Sequence, residues 1–161
     1  MQSKTQDTLA ILELYKLRTE PLMRRARAWF MREFSPQSGK QIVRLLLSGE
    51  QESAYYRMVA SYWETAASLV NNEGIDQQLF LEANTEHVAV FAKLQPFIHE
   101  IRETIGEPDY LMHLEQLCLR VPNIKKKLEN RRKLLERWSM VQAASANHAE
   151  AEVAGGWGLK S

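Results

Sequence analysis

The dipeptide Trp63-Glu64 places a carboxylate in a segment whose other residues are largely apolar. We expect this carboxylate to be partly buried, and a buried charge needs a partner because it has lost the water that stabilised it. Arg102 is the candidate partner, since Arg102 and Lys93 are the only basic residues in 73–119. Glu64 and Arg102 are therefore predicted to form an ion pair that fixes the register of two packed helices. A catalytic acid and a solvent-facing glutamate are the alternatives for Glu64.

A cluster of cations follows nearer the end of the chain. Its members are Lys125, Lys126, Lys127, Arg131, Arg132, Lys133 and Arg137. On a helix they could neutralise phosphates or acidic lipid headgroups, with apolar residues such as Leu128 and Leu135 on the opposite face. The other interpretations are a solvated face above a stripe docked in the core, and a docking site for an acidic protein.

Charge is unevenly distributed along the chain, although 21 basic residues nearly balance 20 acidic ones. Nine acidic residues lie in 73–119 against two basic ones, whereas 120–137 has eight basic residues against two acidic ones. Such asymmetry can mark an interaction surface. The simpler interpretation, which we take as the expectation, is that the two segments neutralise each other within one fold.

Other chemistry-bearing residues lack the patterns that catalysis or metal binding requires. His87, His99 and His113 include no pair four residues apart and no Glu-x-x-His motif, so no metal site is predicted. Cys118 lies between leucines without an adjacent base, and it is interpreted as a small core residue. The chain also has no Gly-x-Ser-x-Gly elbow and no glycine-rich phosphate loop. We therefore expect neither a cofactor nor an enzymatic activity, although a site assembled across helices near Trp63, Glu64 and Arg102 would escape this test.

Four aromatic residues cluster in one segment: Tyr55, Tyr56, Tyr62 and Trp63. They could form a stacking platform for bases or for a ligand. At helical spacing, however, such residues more often belong to a core, with their polar tips bonded where they are buried. We expect the core role.

The elements that position these residues are helices. The chain has 161 residues, of which 45% are hydrophobic and 25% charged, and it has only 7 glycines and 5 prolines. This composition is that of one globular domain and excludes a highly charged disordered chain and a turn-rich β protein. Apolar residues recur at helical spacing throughout, most continuously from Glu50 to Asn72. The prediction is an all-α single-domain bundle of six or seven helices, with the 50–72 helix at its centre and a kink or break at Pro96.

The predicted boundaries are a helical domain over 5–140 and a disordered tail over 141–161, where small residues and glycines dominate. No apolar run approaches the roughly 18 to 20 residues that span a bilayer. The polar start 1–7 has no signal-peptide pattern, and Cys118 is the single cysteine. A soluble cytoplasmic protein without a transmembrane segment is expected.

Three stretches resemble a family of uncharacterised bacterial helical domains, and the similarity covers residues 10 to 120. They are 62–70 with Trp63-Glu64 in mid-helix, the turn Gly74-Ile75-Asp76 followed by Leu79-Phe80, and 96–103, where acidic residues flank Arg102. In some members of that group the domain follows a membrane-spanning helix. This chain differs from those members, because no such helix is expected in it. The resemblance implies a helical fold and says almost nothing about activity.

These observations predict a non-enzymatic helical module for protein interaction or regulation, with a stoichiometric protein partner. The alternative is an accessory protein that binds nucleic acid or an anionic membrane surface through the basic face of 125–137. The two differ in whether binding depends on salt and on those cations.

Overall fold

The computed structural model describes the backbone of residues 4–155 and the side chains of residues 4–151. Nine helices and no strand are present in these residues. They are α1 (Lys4–Thr19), α2 (Pro21–Arg32), α3 (Gly39–Leu47), α4 (Gln51–Asn71), α5 (Gln77–Ala83), α6 (Glu86–Leu94), α7 (Ile98–Ile105), α8 (Met112–Leu119) and α9 (Ile124–Gly155). The all-α class is confirmed, whereas the count of six or seven was too low. Part of the difference is Pro96, which separates α6 from α7 because proline cannot donate the hydrogen bond that a continuous helix needs.

The long helix α4 lies at the centre, as its pattern predicted. Tyr56, Val59, Trp63 and Ala66 are all fully buried on it, and it packs against α2, α3, α5, α6 and α8. Two adjacent apolar stripes on one helix allow neighbours on more than one side. Helix α4 therefore determines the position of α8 and of the side chain of Glu64, which lies on α4.

Helix α6 is the second interior element: α4, α8 and α9 pack on it, and α2 packs on α9. Arg27 of α2 donates from Nε and from its terminal amino group to the two carboxylate oxygens of Glu86, over 2.8 and 2.5 Å. Lys93 donates to the carbonyl oxygens of Phe30, in the last turn of α2, and of Phe34, just beyond the end of α2. Charged side chains therefore tie α2 to both ends of α6 in the half-buried layer between them.

A long-range carboxylate cap joins α3 to α7. Glu100 of α7 accepts a hydrogen bond from the backbone N–H of Gly39, the first residue of α3. Ser38 caps the same helix locally by accepting from the N–H of Gln41 at 3.1 Å. A Cβ atom at position 39 would lie only 2.8 Å from Cβ of Glu100, so glycine is needed there for close approach.

Gly39→Ala is expected to destabilise the protein by about 1–2 kcal/mol. Alanine favours helix more than glycine does, but the added methyl group pushes Glu100 away and breaks its bond to α3. Urea unfolding of Gly39→Ala measures the change. Gly49→Ala, at a position with open space but a φ of +71°, serves as the control for backbone strain alone. Equal stability of Gly39→Ala and the wild type would contradict the steric explanation.

Helix α9 is 32 residues long and continues well past the bundle. The predicted disordered tail is therefore helical as far as Gly155, and its remainder lies outside the described residues. Every described side chain from Val141 to Ala151 is exposed, so this part of α9 does not contact the core. No helix in 4–155, α9 included, combines the length and the apolarity needed to cross a membrane.

Candidate functional site

Glu64 caps the start of α8. Its Oε1 accepts from the backbone N–H of His113 at 3.0 Å, and its Oε2 accepts from that of Leu114 at 2.8 Å. These N–H groups belong to the first turn of α8, where no preceding turn can pair them. The residue before α8 is Leu111, with a positive φ of 55° and no polar side chain that could cap the helix. A carboxylate from α4 therefore caps the N-terminus of α8, a role that a serine or aspartate next to the helix commonly has.

The predicted ion pair between Glu64 and Arg102 is wrong. Arg102 donates from Nε to the carbonyl oxygen of Tyr110 at 2.9 Å and from a terminal amino group to Glu115 at 2.8 Å. No ion pair joins Glu64 to Arg102 in the described part of the chain. Both side chains nevertheless bind the same segment. Glu64 binds the start of α8, while Arg102 binds Tyr110 in the preceding turn and Glu115 in the first turn of α8. Their role is to position α8 on α4 and α7.

The cations of 125–137 fall into two groups. Arg131 and Arg132 are half-buried, and Arg132 donates to the carbonyl oxygen of Ala92 at 2.9 Å and to Gln95. The others are exposed: Lys125, Lys126, Lys127, Lys133 and Arg137. Lys126 and Lys133 pair with Glu129 on the same helix at 3.7 and 2.8 Å. Lys125, Lys127 and Arg137 have no ion pair or side-chain hydrogen bond within residues 4–151.

The acidic segment does not neutralise this basic helix by direct pairing. Among the described residues, the acids of 73–119 form ion pairs with Arg27, Arg102 and His99, and none with a cation of α9. Helix α2, which packs beside α9, adds Arg24, Arg25 and Arg32 as further exposed cations. The expected mutual neutralisation therefore involves no direct ion pair among the described residues and otherwise stays a prediction, while α2 and α9 carry several exposed cations that no acidic side chain pairs there.

The end of α9 leaves apolar side chains uncovered. Trp138, Met140 and Val141 are 43%, 70% and 65% exposed, respectively, where α9 leaves the bundle. The residues that follow are small: 142–151 contains five alanines, one serine and a single acidic residue, Glu150. We name residues 138–151 the projecting segment. Its low charge and apolar start distinguish it from the basic half of the same helix.

Of the four histidines in the chain, His87, His99 and His113 lie in different environments. His99 is exposed beside Glu103, and the Nδ1 atom of His113 lies 3.2 Å from the side-chain amide of Asn71. His87 is only 1% exposed, and burial lowers its pKa to about 4, with a smaller effect from Arg131. Within residues 4–151, no group of three histidine, cysteine or acidic side chains could hold a metal ion.

The aromatic cluster and Cys118 belong to the interior. Tyr56 and Trp63 are fully buried, and the Tyr56 hydroxyl lies 2.8 Å from that of Tyr110. Tyr62 donates to the carbonyl oxygen of Leu14 at 2.5 Å, and burial raises its pKa to about 12. Burial likewise raises the pKa of the Cys118 thiol, which disfavours the reactive thiolate. The predicted core role is confirmed for Tyr56, Trp63 and Cys118, while Tyr55 and Tyr62 are half-buried and pack against the core. The expected bond to a buried polar tip is not formed by Trp63, whose Nε1 has no hydrogen-bond partner among the described residues.

Sequence reasoning missed two features of this region. The Arg27–Glu86 pair joins residues 59 positions apart, and only the acidic first turn of α6 signalled an available carboxylate. Most of the helical projecting segment was taken for a disordered tail because small residues and glycines dominate 141–161. Its alanine content was the available signal, since alanine has the highest helix propensity.

A family model described as a domain of unknown function, DUF4760, matches residues 4–121. The match confirms the resemblance to an uncharacterised family and ends before α9 begins. No curated protein and no solved structure matches the chain.

Proposed function

The chain belongs to the DUF4760 family, and from this premise we propose that it is a non-enzymatic binding module that holds a protein partner through the projecting segment of α9. The observation that carries the proposal is that α9 extends beyond the bundle and that all its side chains from Val141 to Ala151 are exposed. Trp138 and Val141, three residues apart, lie on one side of it. We place the module in the bacterial cytoplasm, a location that the single buried Cys118 favours.

The physical reason is that an isolated helix of this length is marginal in water. Most helical stability in proteins comes from packing one face against another element, and helices shorter than about 12–15 residues rarely persist alone. From Val141 to Ala151 the projecting segment has no such contact within the described chain. A groove on a partner that accepts Trp138 and Val141 would supply it, as in other helix-in-groove interactions.

The test is recovery of a stoichiometric complex with the full-length chain as bait. We expect a defined protein companion at constant ratio from extracts of the source cell, unaffected by nuclease. The variant Trp138→Gln/Val141→Gln should weaken its binding at least about tenfold, since two exposed apolar anchors are lost and glutamine keeps the helix. Titration of the purified companion by calorimetry gives the affinity.

The matched control removes two exposed apolar side chains elsewhere. Leu47 on α3 and Leu119 on α8 are 80% and 55% exposed, and Leu47→Gln/Leu119→Gln should bind like the wild type. Binding that survives changes at 138 and 141, or that is lost equally in the control, would place the interface outside the projecting segment.

A second candidate function is binding of an anionic polymer or surface through α2 and α9. It is supported by the exposed cations that no acidic residue pairs, among them Arg24, Arg25, Lys125 and Arg137. Nucleic acid and anionic membranes both offer dense negative charge, and binding to either is weakened by salt. Nuclease-sensitive material absorbing at 260 nm in the purified protein would favour nucleic acid over the protein partner.

Charge reversal tests this second candidate without disturbing the fold. Lys125→Glu/Arg137→Glu changes two exposed cations that make no internal contact, unlike Arg132, whose reversal would break its bonds to α6. Binding to a labelled duplex, or to phosphatidylserine vesicles, should fall roughly tenfold or more between 50 and 200 mM salt and be lost in the variant. The control variant Lys40→Glu/Arg44→Glu on α3 changes the net charge by the same amount. If this control loses binding to the same extent, the effect comes from net charge and not from the surface of α2 and α9.

A further inference from the structure

A cavity of about 390 Å³ lies between α9 and the start of α6. Thr85, His87 and Val88 line it from the start of α6, while Lys127, Asn130 and Arg131 line it from α9. It is separate from the projecting segment, which begins beyond Arg137 on the same helix. Binding in the cavity and binding by the projecting segment can therefore be measured independently.

His87 lines this cavity, and its ring carries buried polar atoms that lack a partner in the described part of the chain. Both ring nitrogens are buried and lack a hydrogen-bond partner among the described residues. A neutral imidazole has one N–H donor and one acceptor nitrogen, and leaving such groups unpaired in the interior is unfavourable. Trp63 and Phe80 contact the ring at centroid distances of 5.7 and 5.5 Å, and neither provides a hydrogen-bond acceptor in its ring.

The rest of the polar lining favours an anion. Arg131 is half-buried, and neither Arg131 nor Lys127 has an ion pair within residues 4–151. Thr85 precedes α6 without making a side-chain hydrogen bond to its first turn. The dipole of α6 adds to the positive potential at this point, and the charge of Glu86 in its first turn is already paired with Arg27.

The remaining lining is apolar and comes from Leu81, Val88, Val121 and Pro122. Ligand pockets have volumes of roughly 300–1,000 Å³, so this cavity suits a small ligand. We propose that it binds a small organic carboxylate, with the charged group between Arg131 and the start of α6 and the apolar body against Leu81 and Val121. A ligand held in this way would connect α9 to α6.

The test is a titration of the ¹⁵N-labelled full-length chain with sodium hexanoate, at ionic strength matched with sodium chloride. We expect saturable shifts of the His87 and Val88 amide resonances at one site. Arg131→Gln should weaken hexanoate binding about tenfold or more, because it removes a charge-assisted hydrogen bond. Lys125→Gln, an exposed cation of α9 outside the cavity, should bind like the wild type.

Two further probes and one further variant make the result decisive. Uncharged hexanamide and inorganic phosphate should each bind at least tenfold more weakly; equal binding of either would overturn the assignment of an organic carboxylate. Asn130→Asp, at an exposed position of the lining, places a like charge in the cavity and should weaken hexanoate binding even if Arg131→Gln does not fold. Unsaturable shifts, or wild-type affinity in both cavity variants, would show that the cavity is not a carboxylate site.

Discussion

Glu64→Ala is expected to lower the free energy of unfolding by about 3 kcal/mol, through the loss of two hydrogen bonds from backbone N–H groups to a carboxylate in a half-buried position. The N–H groups of His113 and Leu114 are then left without a partner at the start of α8. Glu64→Gln keeps one acceptor oxygen without the charge, so we expect it to lose about half as much. A helix whose preceding residue is Leu111 has no local side chain that could replace the cap.

Chemical unfolding measures the stability change, and amide hydrogen exchange locates it. In Glu64→Ala the amides of His113 and Leu114 should exchange much faster than those in the centre of α4. Glu103→Ala is the matched control, because Glu103 is an exposed carboxylate whose only described ion pair is with His99 on the same helix. A loss below about 0.5 kcal/mol in Glu64→Ala, as is usual at surface sites, would mean that the cap does not hold α8 in place.

The predictions that succeeded rest on signals within a few residues of one another. The apolar spacing of 50–72 gave α4 to within one residue at each end, and Pro96 gave a break because its effect on a helix is local. Cys118 among leucines was likewise placed in the core. Such features depend on period and on backbone chemistry, which a single sequence displays directly.

The partner of Glu64 could not be predicted in the same way. Its half-burial follows from apolar neighbours, but its true partners are backbone N–H groups, which every residue has and no sequence pattern marks. They lack an intrahelical partner because they begin α8, and Leu111 has no polar side chain that could cap them. Arg102 finds Glu115, thirteen residues away, for a similar reason: the turn between α7 and α8 brings them together.

In the candidate sites, too, local features could be predicted from the sequence, whereas features that depend on the packing of helices could not. The cations of α9 were visible as a cluster, yet their separation into half-buried Arg131 and Arg132 and exposed Lys125, Lys127 and Arg137 depends on where α6 lies. The projecting segment has strong local helix propensity and no apolar stripe, so periodicity alone could not distinguish it from a disordered tail. The cavity at His87 joins residues from three helices and left no trace in the sequence.

His87→Phe is expected to remove most of an acid-induced loss of stability that the wild type shows between pH 6.5 and pH 4. Burial, and to a smaller extent Arg131, lower the pKa of folded His87 from 6.5 to about 4. As the pH falls through this window, the unfolded chain binds a proton that the folded protein does not, so stability falls. Above pH 6.5 the histidine is neutral in both states and contributes no pH dependence. At pH 4 the accumulated loss amounts to about 3 kcal/mol.

The comparison that isolates this effect is the difference in unfolding free energy between wild type and His87→Phe at pH 7, 5.5 and 4. Phenylalanine keeps ring contacts with Trp63 and Phe80 and removes the two unpaired nitrogens, so the variant should be at least as stable as the wild type at pH 7. Carboxylates that accept hydrogen bonds in the fold also lose stability in acid, but they do so in both proteins and cancel in the difference. His99→Gln removes an exposed histidine, and it therefore shows how the unfolding free energy changes with pH when the histidine that is replaced is not buried. A difference between wild type and His87→Phe that stays constant from pH 7 to pH 4 would show that His87 is protonated in the folded protein as readily as in the unfolded chain.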